Sequence, residues 1–187
     1  RNGQSQGFLV FGSFIIFLAL HNLFSAPYVY TVFTNIDWLW GTRLEYIFTY
    51  LSAFFFINYM FLLNQRYLHP AVFTIAVFVL SFDIVITCLS MPYVFEKLAF
   101  YSFLLGIIVV LNFAYGFYQT ISRHEPYSTI NLWAVVLLCV TFLHDFLLNL
   151  NWIDSVNLSF ASTSFYAFLI MVQQSKNYAY HSDRIEK

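Results

Sequence analysis

Charge is what this sequence has least of. Of its 187 residues only 9% are charged, eight basic and nine acidic, against roughly a quarter in an ordinary soluble domain. A chain that faces water covers its surface with charge, and so few groups cannot do that. The shortage excludes a soluble globular domain. A 60% hydrophobic content excludes a disordered chain, and the lack of any basic patch excludes a nucleic-acid binder. Cysteine is scarce as well: Cys88 and Cys139 each sit in an apolar run, with neither a disulfide framework nor metal-ligand spacing. The four prolines, Pro27, Pro70, Pro92 and Pro126, all fall between apolar runs. No run carries a proline kink, and the broken helices that mark many transporter sites are not advertised. Six glycines are present, none of them in a phosphate-binding loop.

What the chain does have is length of apolar sequence. Six stretches, at about 7–26, 43–63, 71–90, 98–118, 130–150 and 156–174, approach the ~20 residues that cross a bilayer. Long runs rather than short alternating segments argue against a β-barrel. The expected fold is all-α, a polytopic transmembrane bundle over 1–175 with a tail over 176–187. Short links make neighbouring spans antiparallel. The longest link, 27–42, holds Tyr28, Tyr30, Phe33, Trp38 and Trp40, rings suited to a membrane interface. Arg1, Arg66, Arg123, Lys176, Arg184 and Lys187 fall on one side of the bundle, and only Arg43 and Lys97 on the other. The positive-inside bias puts the first side, and both ends of this segment, in the cytoplasm.

Ionisable side chains within spans are costly, near ~3 kcal/mol for an aspartate at mid-membrane, and often functional. His21, Arg43, Glu45, Asp83, His144 and Asp145 all fall toward the outer side. Helical spacing puts Asp83, Thr87 and Ser90 on one face, Thr141, Asp145 and Asn149 on another, and Glu45, Thr49 and Ser52 on a third. The six ionisable residues are the candidate ligand-binding or signal-sensing set. They form either an outward-opening polar pocket or a structural hydrogen-bond knot that fixes helix register. No HxxxH or HExxH spacing occurs, and His144 and Asp145, being adjacent, point about 100° apart. No metal, cofactor or catalytic arrangement is expected. Ser159, Ser162, Thr163 and Tyr166 recur at helical spacing along the sixth span, as intrabundle packing or as a homodimer seam. The polar QQSKNYAYHSDRIEK that follows lacks glycine and proline, so this helix is expected to run on into the cytosol.

Three stretches carry a family resemblance. TNIDWLWGTRLEYIFTYLSAFFFINYMF has R-x-E-Y followed by an apolar span. WAVVLLCVTFLHDFLLNL has an aspartate late in the span. FASTSFYAFLIMVQQSKNYAYHSDRIEK runs from an apolar span into Q-x-x-x-x-A and a basic tail. The chain resembles, over nearly its whole length, the transmembrane region of the bacterial seven-transmembrane receptors with diverse intracellular signalling modules. That family has seven spans, so the resemblance implies six of seven here, with the first upstream of Arg1. It implies an extracytoplasmic sensory domain before the bundle, and an output such as a histidine kinase or diguanylate cyclase after it. It marks Arg43, Glu45 and Asp145 as characteristic positions and supplies no catalytic residue. The expected function is a non-enzymatic receptor of the bacterial inner membrane. The alternatives are a small-solute transporter or channel and an intramembrane lipid-modifying enzyme using Asp83 and Asp145.

Overall fold

In lipid a backbone must satisfy its own hydrogen bonds, so apolar runs of this length become helices. A computed structural model describes residues 2–25 and 29–123, together with individual positions between 133 and 172. Its elements are α1 (Asn2–Phe24), α2 (Tyr30–Phe33), α3 (Trp38–Leu63), α4 (Pro70–Leu89) and α5 (Pro92–Ser122). No strand occurs among the described residues. Among the described residues four helices are long and apolar enough to cross a membrane: Gln6–Phe24, Trp38–Leu63, Pro70–Leu89 and Pro92–Ser122, with mean hydropathies of 2.0, 1.6, 2.5 and 2.1. The regular structure among the described residues is thus all helical, and the apolar helices, suited to contact with lipid, make the chain an integral membrane protein.

The expected spans at 130–150 and 156–174 lie for the most part outside the described residues, and the tail at 176–187 wholly so. Of their residues that are described, Leu158 is not helical, and the others, among them Trp133, Leu137, Thr141, His144, Ser162 and Tyr166, are. The chain divides into two compact units, residues 1–116 and 117–187.

The helix ends differ from the hydropathy boundaries in an instructive way. The second span begins at Trp38 rather than near residue 43, and the interfacial link before it contains the short helix α2. The fourth span begins at Pro92, so most of the expected link at 91–97 is helical. Proline has the right φ and needs no N–H in a first turn. Glu96 and Lys97 are exposed there, so the helix carries them without burying charge. Hydropathy measures where side chains prefer lipid, whereas the backbone ladder runs on until a cap stops it. At α4 the start is made by Pro70 and by His69, whose Nδ1 accepts from the Ala71 N–H at 3.2 Å.

Each helix of the first unit shows lipid one face and its neighbours the other. On α4, Ile75, Phe78, Phe82, Val85 and Leu89 are exposed, whereas Ala76, Leu80, Asp83 and Thr87 are buried. Both sets recur every three or four residues, as a helical face does. The exposed stripe is the greasy one and the buried stripe holds Asp83 and Thr87, whereas the exposed Thr74 and Ser81 hydroxyls donate to the Pro70 and Val77 carbonyl oxygens of their own helix. On α5, Tyr101, Leu104, Ile108, Leu111 and Tyr115 form a similar outward stripe.

Aromatic rings set the register of the bundle. Between α1 and α3, Phe11 meets Tyr59 at 4.8 Å, Phe14 meets Phe56 at 5.2 Å, and Phe17 stacks on Phe55 at 5.3 Å. Phe61 of α3 stacks on Phe73 of α4 at 4.1 Å. Tyr46 and Phe56 of α3 meet Phe95 and Phe113 of α5. Each such pair contributes about 0.5–1.5 kcal/mol beyond its buried area. Antiparallel pairs step down one helix as they step up the other, and the parallel α3–α5 pairs advance together.

Candidate functional site

Helix spacing places Asp83 on the inward face of α4, and the neighbouring helices decide what it meets there. Its side chain is wholly buried. Its Oδ2 lies 2.5 Å from the Ser102 hydroxyl of α5, and Ser102 Oγ is also 3.2 Å from the Leu98 carbonyl oxygen one turn earlier. Asp83 Oδ1 has no hydrogen-bond partner. Tyr50 of α3 is buried, its hydroxyl likewise has no hydrogen-bond partner, and it lies within electrostatic reach of Asp83. One turn along α4, the buried Thr87 hydroxyl donates to the Asp83 carbonyl oxygen at 2.7 Å. Three helices thus bring a carboxyl and two hydroxyls to one level.

Arg43 sits two turns before Tyr50, about 10 Å along α3 at 1.5 Å per residue. It reaches the end of α4 rather than a carboxylate. Its Nη2 donates to the Ser90 carbonyl oxygen at 2.9 Å, and the guanidinium lies 5.0 Å from the centroid of the Trp40 ring. Ser90 is the C-cap of α4. The last carbonyls of a helix lack intrahelical partners and carry partial negative charge, so a cation there is favourable. Arg43 Nε and Ser90 Oγ are buried without partners. A polar column therefore runs from the Arg43–Ser90 end down to Tyr50, Asp83 and Ser102, with four unpartnered buried atoms along it.

His21 belongs to a second arrangement. Its Nδ1 lies 2.9 Å from Thr49 Oγ1, and the Thr49 hydroxyl donates to the Glu45 carbonyl oxygen at 2.8 Å. Since that hydroxyl has one hydrogen, the second bond is completed by a hydrogen on His21 Nδ1. Ser52 continues this stripe, donating to the Thr49 carbonyl oxygen at 2.8 Å. Glu45 takes part through its backbone, and its half-buried side chain is not in the column.

The six ionisable residues read from the sequence therefore separate. Asp83 and Arg43 lie along one column, and His21 and Glu45 meet across α1 and α3. His144 is helical and half-buried in the second unit, and Asp145 lies outside the described residues. Sequence reasoning missed Tyr50 and Ser102. Their signal was faint but present: Tyr50 follows Arg43 by two turns, and Ser102 is the first serine or threonine of α5, with none after it until Thr120. Matching each against Asp83 needed the antiparallel registers of α3 on α4 and of α4 on α5.

Chemically, the column offers a carboxyl, hydroxyls and a guanidinium. Among the described residues no three His, Cys, Asp or Glu side chains come together as a metal ion would require. In the second unit, Thr141 and Ser162 hydroxyls lie 2.7 Å apart, and Thr141 also donates to the Leu137 carbonyl oxygen at 3.0 Å. This contact ties the expected fifth and sixth spans together. The chain matches no family model, no curated protein and no solved structure.

Proposed function

We propose that this chain is the membrane-embedded part of a bacterial inner-membrane receptor, contributing six spans of a seven-span unit. It relays an extracytoplasmic signal to a cytoplasmic output module such as a histidine kinase or diguanylate cyclase, with both ends of the segment in the cytoplasm. The reading rests on one observation above the rest: the incompletely satisfied polar column confined to one end of α3, α4 and α5. Toward the other end the buried side chains include Ile57, Tyr59, Met60, Ala76, Val109 and Phe113, mostly apolar. A polar site closed off by an apolar plug suits sensing at one membrane face, whereas a transporter needs polar groups along a whole path. A buried polar group lacking a full set of partners is costly. A small change in charge or occupancy at the column therefore shifts the balance between two helix packings. The open apolar groove on α1, lined by Phe8, Leu9, Gly12, Ser13 and Ile16, is the surface this reading gives to a preceding span. The resemblance of the R-x-E-Y opening and of the final span to the receptor family supports the same conclusion.

The test is a chimera with a diguanylate cyclase joined after Lys187. Cyclic-dinucleotide production requires that end to be cytoplasmic. Asp83→Asn and Tyr50→Phe, compared at equal membrane levels, are expected to change that output. Unchanged output in both variants refutes the sensing reading.

A further inference from the structure

We propose that Asp83 is a reversible proton-binding site, with Ser102 as the switch that accommodates both protonation states. The proposal rests on the reading of the polar column as sensory and names what it senses.

A serine hydroxyl has one hydrogen to give and lone pairs to accept with. Ser102 Oγ has two acceptors within reach, Asp83 Oδ2 at 2.5 Å and the Leu98 carbonyl oxygen at 3.2 Å. Its hydrogen serves one of them at a time. With Asp83 ionised, the hydrogen goes to Oδ2 in a short, charge-assisted bond. With Oδ2 protonated, the carboxyl O–H donates to Ser102 Oγ, and Ser102 turns its own hydrogen onto the Leu98 carbonyl. Every hydrogen among these three oxygens is placed in either state. The two states differ by one proton, taken from and returned to the aqueous phase, and by one hydroxyl rotation.

The other carboxyl oxygen gives the change a consequence. Asp83 Oδ1 and the Tyr50 hydroxyl are both buried, and among the described residues neither has a partner at hydrogen-bond geometry, although the Tyr50 hydroxyl also lies close to Ser102. Ionisation makes Oδ1 a stronger acceptor and draws the Tyr50 hydroxyl toward it, and protonation at Oδ2 releases it. Proton loading thereby sets how tightly α3 holds α4 at this level.

The surroundings fit a proton rather than a metal ion. From α3 the titratable group near Asp83 is Tyr50, with Tyr46 beside Tyr50 in turn. Arg43, two turns away, is held on Ser90 and Trp40. From α5 comes Ser102, and Glu96 and Lys97 are exposed near the start of that helix. On α4 itself the buried neighbours are Leu80 and Thr87, and Cys88 is exposed. Among the described residues no cation touches the carboxyl. A hard cation takes about six oxygen ligands, and the side chains around Asp83 supply too few.

The full-length protein, reconstituted in liposomes, is titrated through the carboxyl and imidazole ranges while infrared difference spectra follow the carbonyl stretch of protonated carboxyls. A band is expected to grow on acidification, to be lost in Asp83→Asn and to persist in Glu45→Gln. In Ser102→Ala it should shift in frequency, because the acceptor of the carboxyl O–H is gone. Its midpoint should be the same in sodium and in potassium media. The proposal is overturned if no titrating band disappears in Asp83→Asn, or if the band follows sodium rather than pH. If Asp83→Asn does not assemble, a titrating band indifferent to Ser102→Ala overturns it. A cyclase output that responds to Asp83→Asn without any titrating carboxyl defeats the proton site and leaves the sensory reading standing. A titrating carboxyl with unchanged output does the opposite.

Discussion

Replacing Gly116 by alanine is expected to weaken the docking of α5 on the turn between α3 and α4. A Cβ built on Gly116 would lie 2.5 Å from the Tyr67 carbonyl oxygen and 2.8 Å from that of Arg66. The first is about 1 Å short of ordinary van der Waals contact near 3.4 Å. Both obstacles are backbone, so no side chain can swing aside. The turn is also held in place: Tyr67 and Leu68 are buried, and the His69 N–H donates to Asn112 Oδ1 at 2.8 Å, one helical turn before Gly116. Overpacking of this kind costs about 1–3 kcal/mol. Separating the turn from α5 also strains the His69–Asn112 bond, a loss of about 1 kcal/mol. The gain in helix propensity from glycine to alanine, about 1 kcal/mol, opposes it. The net expectation is a destabilisation of about 1–3 kcal/mol. Gly106 and Gly12 have nothing within 4 Å of a built Cβ, so alanine there should be neutral or stabilising by up to about 1 kcal/mol. Denaturation in mixed micelles, followed by far-UV circular dichroism, compares the three variants. Gly116→Ala as stable as Gly106→Ala would refute the reasoning.

Two further outcomes follow from the polar contacts. Arg43→Ala should destabilise by about 1–3 kcal/mol through the lost charged bond to the Ser90 carbonyl and the lost stacking on Trp40. Arg43→Lys should recover only part of that in the same denaturation assay, because an ammonium lacks the planar fork. In the second unit, a double-mutant cycle of Thr141→Val and Ser162→Ala should give a coupling of about 0.6 kcal/mol, the average for such bonds between membrane helices. Strictly additive effects would show that this hydroxyl pair does not contribute to helix association.

The shortage of charge and the apolar runs determined the class of the protein before any tertiary contact was considered. Solvent preference is a property of composition, and a helix is the local answer to a backbone among lipid. The same local periodicity made the inward face of α4 legible, since Asp83 and Thr87 lie one turn apart and a carboxyl cannot be left facing lipid cheaply. Helix ends were less legible, because caps such as His69 and first-turn prolines set them rather than hydropathy.

What the tertiary structure decided was partnership. The sequence offered Arg43 several carboxylates, yet it binds a helix-terminal carbonyl, and His21 found Thr49. Tyr50 and Ser102 joined Asp83 only through the register in which three helices lie side by side. Gly41 shows the same dependence, since its open face matters only because the Tyr30 ring lies across it. In lipid no hydrophobic gradient selects one apolar face over another, so close packing and a few polar contacts choose which helices meet and at what height. Those choices depend on residues far apart in the chain, and a periodicity read along one helix at a time does not contain them.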